Sequence, residues 1–332
     1  MTTISVIMPA YNAAHLLPRV LPPLLNMLDA GEVAEVLVVD DCSTDNTPDL
    51  AREMGANVMI TPANGGPGVA RNLAAQVAVG DVLWFVDSDV IAWPGGPAQI
   101  KSAFADPNVG AAFGSYDNAP EGPWFSRYKN LLHRFHHQQA REASTFWAGC
   151  GAVRANTFAK VGGFDVDTYR VPSIEDIELG YRINAEGQKI VVLPDWQGKH
   201  LKIWSMKNAI FTDIFRRALP WSRLMIAREG LTNELNAGLA ERLRAVIAGL
   251  FWLTLFTALI GVTSWSLWLA MVLLALAANW KLASFFNANG GMLFAAGAMA
   301  YHQLYYVYSA ASYVWCLFEY HVLGKKNRLH VP

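Results

Sequence analysis

The chain has 332 residues, 53% of them hydrophobic, with 26 Lys and Arg against 27 Asp and Glu and a formal net charge of −1. That length holds one large domain with an appendage, or two domains, and a charge so near zero gives no reason to expect a nucleic-acid partner. Cys42, Cys150 and Cys316 are far apart and odd in number, which suits a reducing compartment better than a disulfide framework.

The N-terminus, "MTTISVIMPAYN", lacks the basic flank and long apolar core of a secretory signal, so this part is expected to stay in the cytoplasm. Four short apolar runs follow in order: "ISVIMP" (4–9), "EVLVVDD" (35–41), "ANVMI" (56–60) and "DVLWFVD" (81–87). Their hydrophobic residues are too continuous for strands with one wet face, so both faces should be covered. "STDNTPDLAREMG" reads as a helix with a cap-type start, Pro48 in its first turn and Gly55 as its stop, and "GPGVARNLAAQVAVG" as a second. Pro22 and Pro23 sit badly in the helix expected after the first strand. Alternating strand and helix predicts an α/β fold with a doubly wound, mostly parallel sheet, Rossmann-like in its winding, and ligands at the strand C-terminal ends.

Asp40, Asp41, Asp87 and Asp89 all fall at such ends. In "WFVDSDV" (84–90) the two carboxylates Asp87 and Asp89 are one residue apart beside the interior, which calls for a cation or a hydrogen-bond donor. The bland alternative is a solvated acidic turn. A dinucleotide fingerprint is absent, since "PAYNAA" follows the first strand, and "NGGPG" (64–68) lacks the G-K-[ST] ending of a P-loop. In "EDIELGYRI" a carboxylate pair, Glu175 and Asp176, opens a helical pattern. A helix start keeps carboxylates ionised, which suits a general base as well as a simple cap.

Charge then thins out abruptly. Residues 245–280 carry no Lys, Arg, Asp or Glu, and neither do residues 282–318. A bilayer core needs roughly 20 apolar residues per helix, so each run is too long for one simple span. "GVTSWS" (261–266) predicts a hairpin of two short membrane helices, "FFNANGG" (285–291) a loop, and 292–323 one long helix rich in Tyr and Trp. Arg242 and Arg244 put the start of the first helix in the cytoplasm. The chain is expected to divide into a catalytic domain over 1–230, with interfacial helices near its end, and a membrane region over 231–332 with two or three helices. A buried soluble helical subdomain is the alternative.

Six motifs in order, "SVIMPAYNA", "VVDDCSTDNT", "NGGPGVARN", "FVDSDV", "GCGAVRANTFAKVGGFD" and "SIEDIELGYRI", resemble the glycosyltransferase family 2 branch of the GT-A fold over about residues 1–230. The resemblance implies a nucleotide-diphosphate sugar donor, with a UDP-sugar expected, and Mn2+ or Mg2+ bridging its phosphates. It implies Asp89 as metal ligand, Asp87 toward the ribose and metal, and His200 as a late metal ligand, although a lone His is as readily structural. It implies Asp41 as the carboxylate that recognises the base, with Asp40 holding the loop. Pro9, Ala10 and Tyr11 are placed along the nucleobase, and Arg71 near the nucleotide or on a helix surface. Gly149 and Gly151 form a turn where backbone approaches the donor sugar. Asp176 is the base that takes the acceptor proton, supported by Glu175.

"RALPW" (217–221) is similar to the [Q/R]-x-x-R-W motif of membrane-bound members in Arg217 and Trp221, with Pro220 in place of the usual Arg. Trp221 is expected at the acceptor mouth. The expected enzyme is an inverting glycosyltransferase in the inner (cytoplasmic) membrane, multi-pass, its catalytic domain facing the cytoplasm, which moves one sugar to a membrane lipid. Alternatives are a polyprenyl-phosphate acceptor that is already ionised, a sugar nucleotidyltransferase, and an inactive membrane scaffold.

Overall fold

Ile4–Ala10 form β1, buried along its whole length, and its side chains alternate between two apolar layers as a strand's period of two requires. A computed structural model of the chain describes residues 2–228 and 238–325. It comprises two units, one of residues 2–122 and 137–203, the other of residues 123–136, 204–228 and 238–325.

In the first unit β1 is followed by α1 (Leu17–Asp29), β2 (Glu35–Asp40), α2 (Thr47–Glu53), β3 (Asn57–Ile60), α3 (Pro67–Ala75) and β4 (Val82–Val86). The four strands pair in parallel in the order β3-β2-β1-β4. Ile4, Val6, Met8, Val36, Val38, Val82 and Trp84 pack under α1 and α2, through Leu17, Val20, Leu24 and Ala51. Ile7, Leu37, Val39, Leu83 and Phe85 pack on the other face, under Ala70 and Ala74 of α3. Both faces of β1, β2 and β4 are covered, as their unbroken apolar runs require; β3, at the sheet edge, departs from that expectation, with Asn57 and Ile60 exposed and Val58 and Met59 half-buried. α1 continues through Pro22 and Pro23, which lack amide hydrogens, because its buried stripe of Leu17, Val20, Leu21, Leu24 and Met27 holds it to the sheet.

Next come β5 (Val90–Ala92), α4 (Gly96–Ala103), β6 (Val109–Tyr116), α5 (Trp124–Gln139), β7 (Glu142–Ala143), β8 (Cys150–Arg154), α6 (Ala155–Lys160), α7 (Glu175–Ala185) and β9 (Lys189–His200). Here the sheet turns mixed, a departure from uniform parallel winding. β8 lies antiparallel between β4 and β6, β9 is parallel to β6, and β5 is antiparallel to β9. Two registers bring distant segments to the end of β4: Val86 pairs with Cys150, and Val90 pairs with His200.

The second unit holds most of α5, then α8 (Met206–Phe211), a π-helical turn Thr212–Ala218 and α9 (Leu219–Ala227). Pro220 lies in the first turn of α9 and has no amide hydrogen to donate, so the wider π spacing just before it lets the helical rod continue. α10 (Leu239–Leu259), α11 (Trp265–Ala278), α12 (Trp280–Gly290) and α13 (Met292–His321) follow. The α10–α11 hairpin matches the pattern of the first uncharged run. "FFNANGG" does not form the expected loop: α12 runs to Gly290, and the chain breaks only at Gly291, whose φ of 82° favours glycine.

Tyr128, Leu131 and Leu132 of α5 pack with Leu282, Phe286, Phe294, Ala298 and Met299. Buried charge here is paired: Lys129 Nζ donates to both carboxylate oxygens of Asp213, at 2.6 and 2.8 Å, with the side chains 2% and 4% exposed. Tyr306 donates to Glu241 at 2.7 Å, and Arg244 Nε donates to the Ala278 carbonyl at 2.9 Å. By contrast, Leu250, Trp252, Leu253, Phe256, Leu269 and Leu273 are exposed. Among the described residues one helix, Leu239–Leu259, is long and apolar enough to cross a membrane, or two spans exist if α11 and α12, bent by 77°, count as one.

Candidate active site

β4 ends at Val86, and the chain turns at once: the Val90 amide donates to the Asp87 carbonyl at 2.9 Å. Asp87 and Asp89 therefore leave the sheet on either side of a tight turn. They find different partners. Arg71 Nη2 donates to Asp87 Oδ1 at 2.5 Å, and Nη1 lies 3.8 Å from Glu175. The Arg71 guanidinium is almost fully buried on α3, 5.3 Å over the Phe164 ring. Two carboxylates and one ring thus take up its charge from within the protein, which differs from a surface helix arginine.

The Val90–His200 register sets His200 beside Asp89. The Leu201 amide donates to the Asp89 carbonyl at 2.8 Å, and His200 Nε2 lies 3.4 Å from Asp89 Oδ2. Burial works to raise the Asp89 carboxyl, but facing His200 and Lys202 more than offsets it and holds the group below the usual carboxylate range. Among the described residues no three His, Cys, Asp or Glu side chains surround one point. A carboxylate and an imidazole side by side nonetheless fit a cation whose other positions are filled by phosphate oxygens and water, as Mg2+-type sites are commonly built.

At the neighbouring strand end, the Asp41 amide donates to the Ala10 carbonyl at 2.8 Å. The Asp41 carboxylate accepts from Thr61 Oγ1 at 2.9 Å, the Gly65 amide at 3.0 Å and the Gly66 amide at 2.7 Å, and so anchors the glycine loop before α3. Asp40 accepts from the Ser43 amide through Oδ2 at 3.0 Å, while its Oδ1 is buried without a protein partner. The sequence expectation gave the loop to Asp40 and the base to Asp41. The observed bonding puts the larger share of the loop on Asp41. Pro9 and Ala10 are buried in β1, and Tyr11 stands 52% exposed just past it. Asn12, at φ 50°, accepts from the Thr44 amide and ties this corner to the 42–45 loop.

Gly149 lies in a turn with Ala148, as expected of this glycine pair, but Gly151 does not. Gly151 lies within β8 opposite Phe85, and Gly149 immediately precedes that strand, its carbonyl accepting from the Asp87 amide at 3.2 Å. A Cβ on Gly151 would lie 2.2 Å from the Trp147 carbonyl, and one on Gly149 would lie 2.8 Å from the Trp147 ring. Glycine is required here by crowding.

α7 packs closely on the same segment, since a Cβ on Gly180 would lie 2.3 Å from the Phe146 amide nitrogen. That contact brings the acidic helix start to residues 146–148. Asp176 Oδ2 accepts from the Ala148 amide at 3.3 Å and Oδ1 from the Ile177 amide at 2.8 Å. Glu175 is 7% exposed and accepts from the Ser173 amide at 2.7 Å. Burial, then the neighbouring charge of Asp176, pushes its carboxyl up to about 7, against the pull of Arg71.

A carboxyl raised on folding holds its proton to higher pH than in the unfolded chain. The folded state is therefore not penalised below the ordinary value of 4.5 and is fully penalised above about 7. Glu175→Gln is expected to raise the thermal midpoint near pH 8, by the equivalent of at most about 3 kcal/mol, and to leave it unchanged near pH 4.5. Thermal unfolding at the two pH values checks this, and a midpoint that falls at pH 8 would show the charge to be needed.

Arg217 and Trp221 belong to the second unit. Arg217 lies in the π-helical turn and donates to His133 Nε2 at 2.9 Å, and Trp221 is half-buried on α9. In the first unit Tyr116 and Trp147 stand among the site residues, and sequence reading did not single them out. The signal for Trp147 was its place two residues before the glycine pair.

Residues 5–162 match the family described as glycosyl transferase family 2. The chain is 31% identical over 228 residues to validoxylamine A glucosyltransferase of Streptomyces hygroscopicus subsp. jinggangensis (strain 5008), covering 57% of this chain and 53% of that one. It is 38% identical over 92 residues to poly(ribitol-phosphate) beta-glucosyltransferase of Bacillus spizizenii (strain ATCC 23059 / NRRL B-14472 / W23), covering 26% and 14%. The chain thus spans about half, or less, of the length of these relatives. Among solved structures it is similar to mannosyltransferase PcManGT from Pyrobaculum calidifontis in complex with GDP-Man and Mn2+, with a TM-score of 0.60 at 21% identity over 95% of this chain and 87% of that one. At that identity the likeness establishes a shared fold. These matches, with the mixed sheet and the carboxylates at its strand ends, make residues 5–162, just under half of the chain, similar to the domains of glycosyltransferase family 2.

Proposed function

We propose that the chain is a cation-dependent, inverting glycosyltransferase that moves one sugar from a nucleotide-diphosphate sugar to a hydroxyl of a membrane lipid. The observation that carries this reading is how close the two acidic sites lie along one short segment. Ala148 holds Asp176 through its amide, and the next residue, Gly149, holds the Asp87 amide through its carbonyl. A donor at the Asp87–Asp89 turn and a base at Asp176 are then separated by little more than the reacting sugar.

Asp89 and His200 would hold Mn2+ or Mg2+, which when bound neutralises charge growing on the departing diphosphate. Asp176, ionised at its helix start, takes the proton from the acceptor hydroxyl. The acceptor oxygen bonds to the anomeric carbon on the face opposite the breaking bond, the nucleoside diphosphate leaves with its electron pair, and the configuration inverts. Asp40 and Asp41, with Tyr11, Pro9 and Ala10, line the base end, and a UDP-sugar remains the expected donor. The 31% identity to a glucosyltransferase supports a hexose. Trp221 and Arg217 are assigned to the acceptor side. The exposed apolar residues of α10 and α11 support contact with a membrane, and the inner membrane with a cytoplasmic catalytic domain is the placement proposed from Arg242 and Arg244.

The test is to incubate the purified protein and Mn2+ with radiolabelled UDP- and GDP-sugars and membrane lipids, then count label in the organic extract. Labelled lipid from one donor is expected. No labelled lipid and no nucleotide release with any donor would sink the reading. Label confined to a polyprenyl phosphate would replace the hydroxyl acceptor by one that is already ionised.

A further inference from the structure

His200 does not stand alone beside Asp89. Its ring lies flat on Tyr116, with centroids 4.5 Å apart and planes 5° from parallel. Tyr116 closes β6 and is 5% exposed, and Trp147 meets its ring edge-on at 4.7 Å and 90°. Behind Trp147 comes His137, at 4.8 Å. Gly149 leaves the indole its place, since a Cβ there would enter the Trp147 ring. A stacked imidazole is held in one ring plane, and in this plane Nε2 faces Asp89 Oδ2 at 3.4 Å.

We infer that Tyr116, braced by Trp147, is a positioning residue that aims His200 at the cation site. The inference rests on the proposed function, because it needs His200 to bind a cation. Neighbours that orient a ligating histidine typically change metal affinity 10–100-fold when removed. The orienting contact is the ring face.

The binding of Mn2+ to the full chain in the presence of UDP, followed by the electron-spin signal of free Mn2+, tests this without turnover. Tyr116→Leu is expected to weaken Mn2+ binding by about 10-fold or more, and Tyr116→Phe to stay within about twofold of the parent. Trp147→Leu, which leaves Tyr116 in place, should weaken it as well, and it carries the test if Tyr116→Leu fails to fold. UDP binding without Mn2+ should be unchanged in all three. Parent-like Mn2+ affinity in either Leu variant overturns the inference, as does a Phe variant as weak as the Leu variant. A parent that binds no Mn2+ overturns the cation assignment itself, a separate and prior failure.

Discussion

Asp176→Asn is expected to cut transfer to a hydroxyl acceptor by ~10²–10⁴, the range typical of losing a general base, while donor affinity changes little. The amide keeps the side chain's size and can still accept from either the Ala148 or the Ile177 amide through its one carbonyl oxygen, though not from both as the carboxylate does. What it cannot do is take a proton. Donor binding should survive because Asp176 accepts from the Ala148 amide while the turn is held through the next residue's carbonyl, so the two are linked through backbone at 148 and 149. Steady-state rates with saturating donor, set beside donor affinity measured by calorimetry, separate the two effects. A variant that loses nucleotide binding and keeps its rate would make Asp176 a donor-site residue. One that loses neither would mean the acceptor attacks already ionised.

Removing Asp89 acts on the other half of the reaction. Asp89→Ala should lower turnover by at least ~10², the scale on which a group that stabilises developing charge acts. Excess chelator should abolish activity in the parent, with return on adding Mn2+ or Mg2+. The Asp89 carboxyl is held below the usual range beside His200 and Lys202, so it stays ionised in mildly acidic buffer. Activity that falls below neutral pH should therefore be traced to another group. Full activity of the parent in chelator would remove the cation from the mechanism, and with it the reason for Asp89.

β1, β2 and β4 were legible because burial on both faces leaves a plain mark: "ISVIMP" and "DVLWFV" have no wet side to alternate with. The strand-end carboxylates were legible for the same reason, since charge at the end of such a run needs an explanation. The rest depended on pairing that short segments do not announce. "CGAVR" became an antiparallel strand wedged between β4 and β6, and Gly151 with the preceding Gly149 answers to the Trp147 carbonyl and ring, contacts no local pattern encodes. Asp40 and Asp41 alternate across the sheet, and only the fold of the 61–66 segment decided which of them receives the glycine amides. "FFNANGG" has loop composition, yet packing of Phe286 against Tyr128 and Phe294 keeps most of it helical.

The short link between Arg244 and Ala278 has a consequence for depth. It sets the base of α10 level with the end of α11, so the apolar hairpin is measured from that polar collar, with Lys281 just beyond it. The 14 residues of α11, at about 1.5 Å each, reach roughly 21 Å, against a hydrocarbon thickness of about 30 Å. Were the hairpin inserted in a membrane from that collar, α11 would reach about two-thirds of the way across, with the tip at Gly261–Ser264 in the far leaflet. A cysteine placed at Val262 should then resist impermeant maleimide added from the far side, and ready labelling from there would show that the tip emerges.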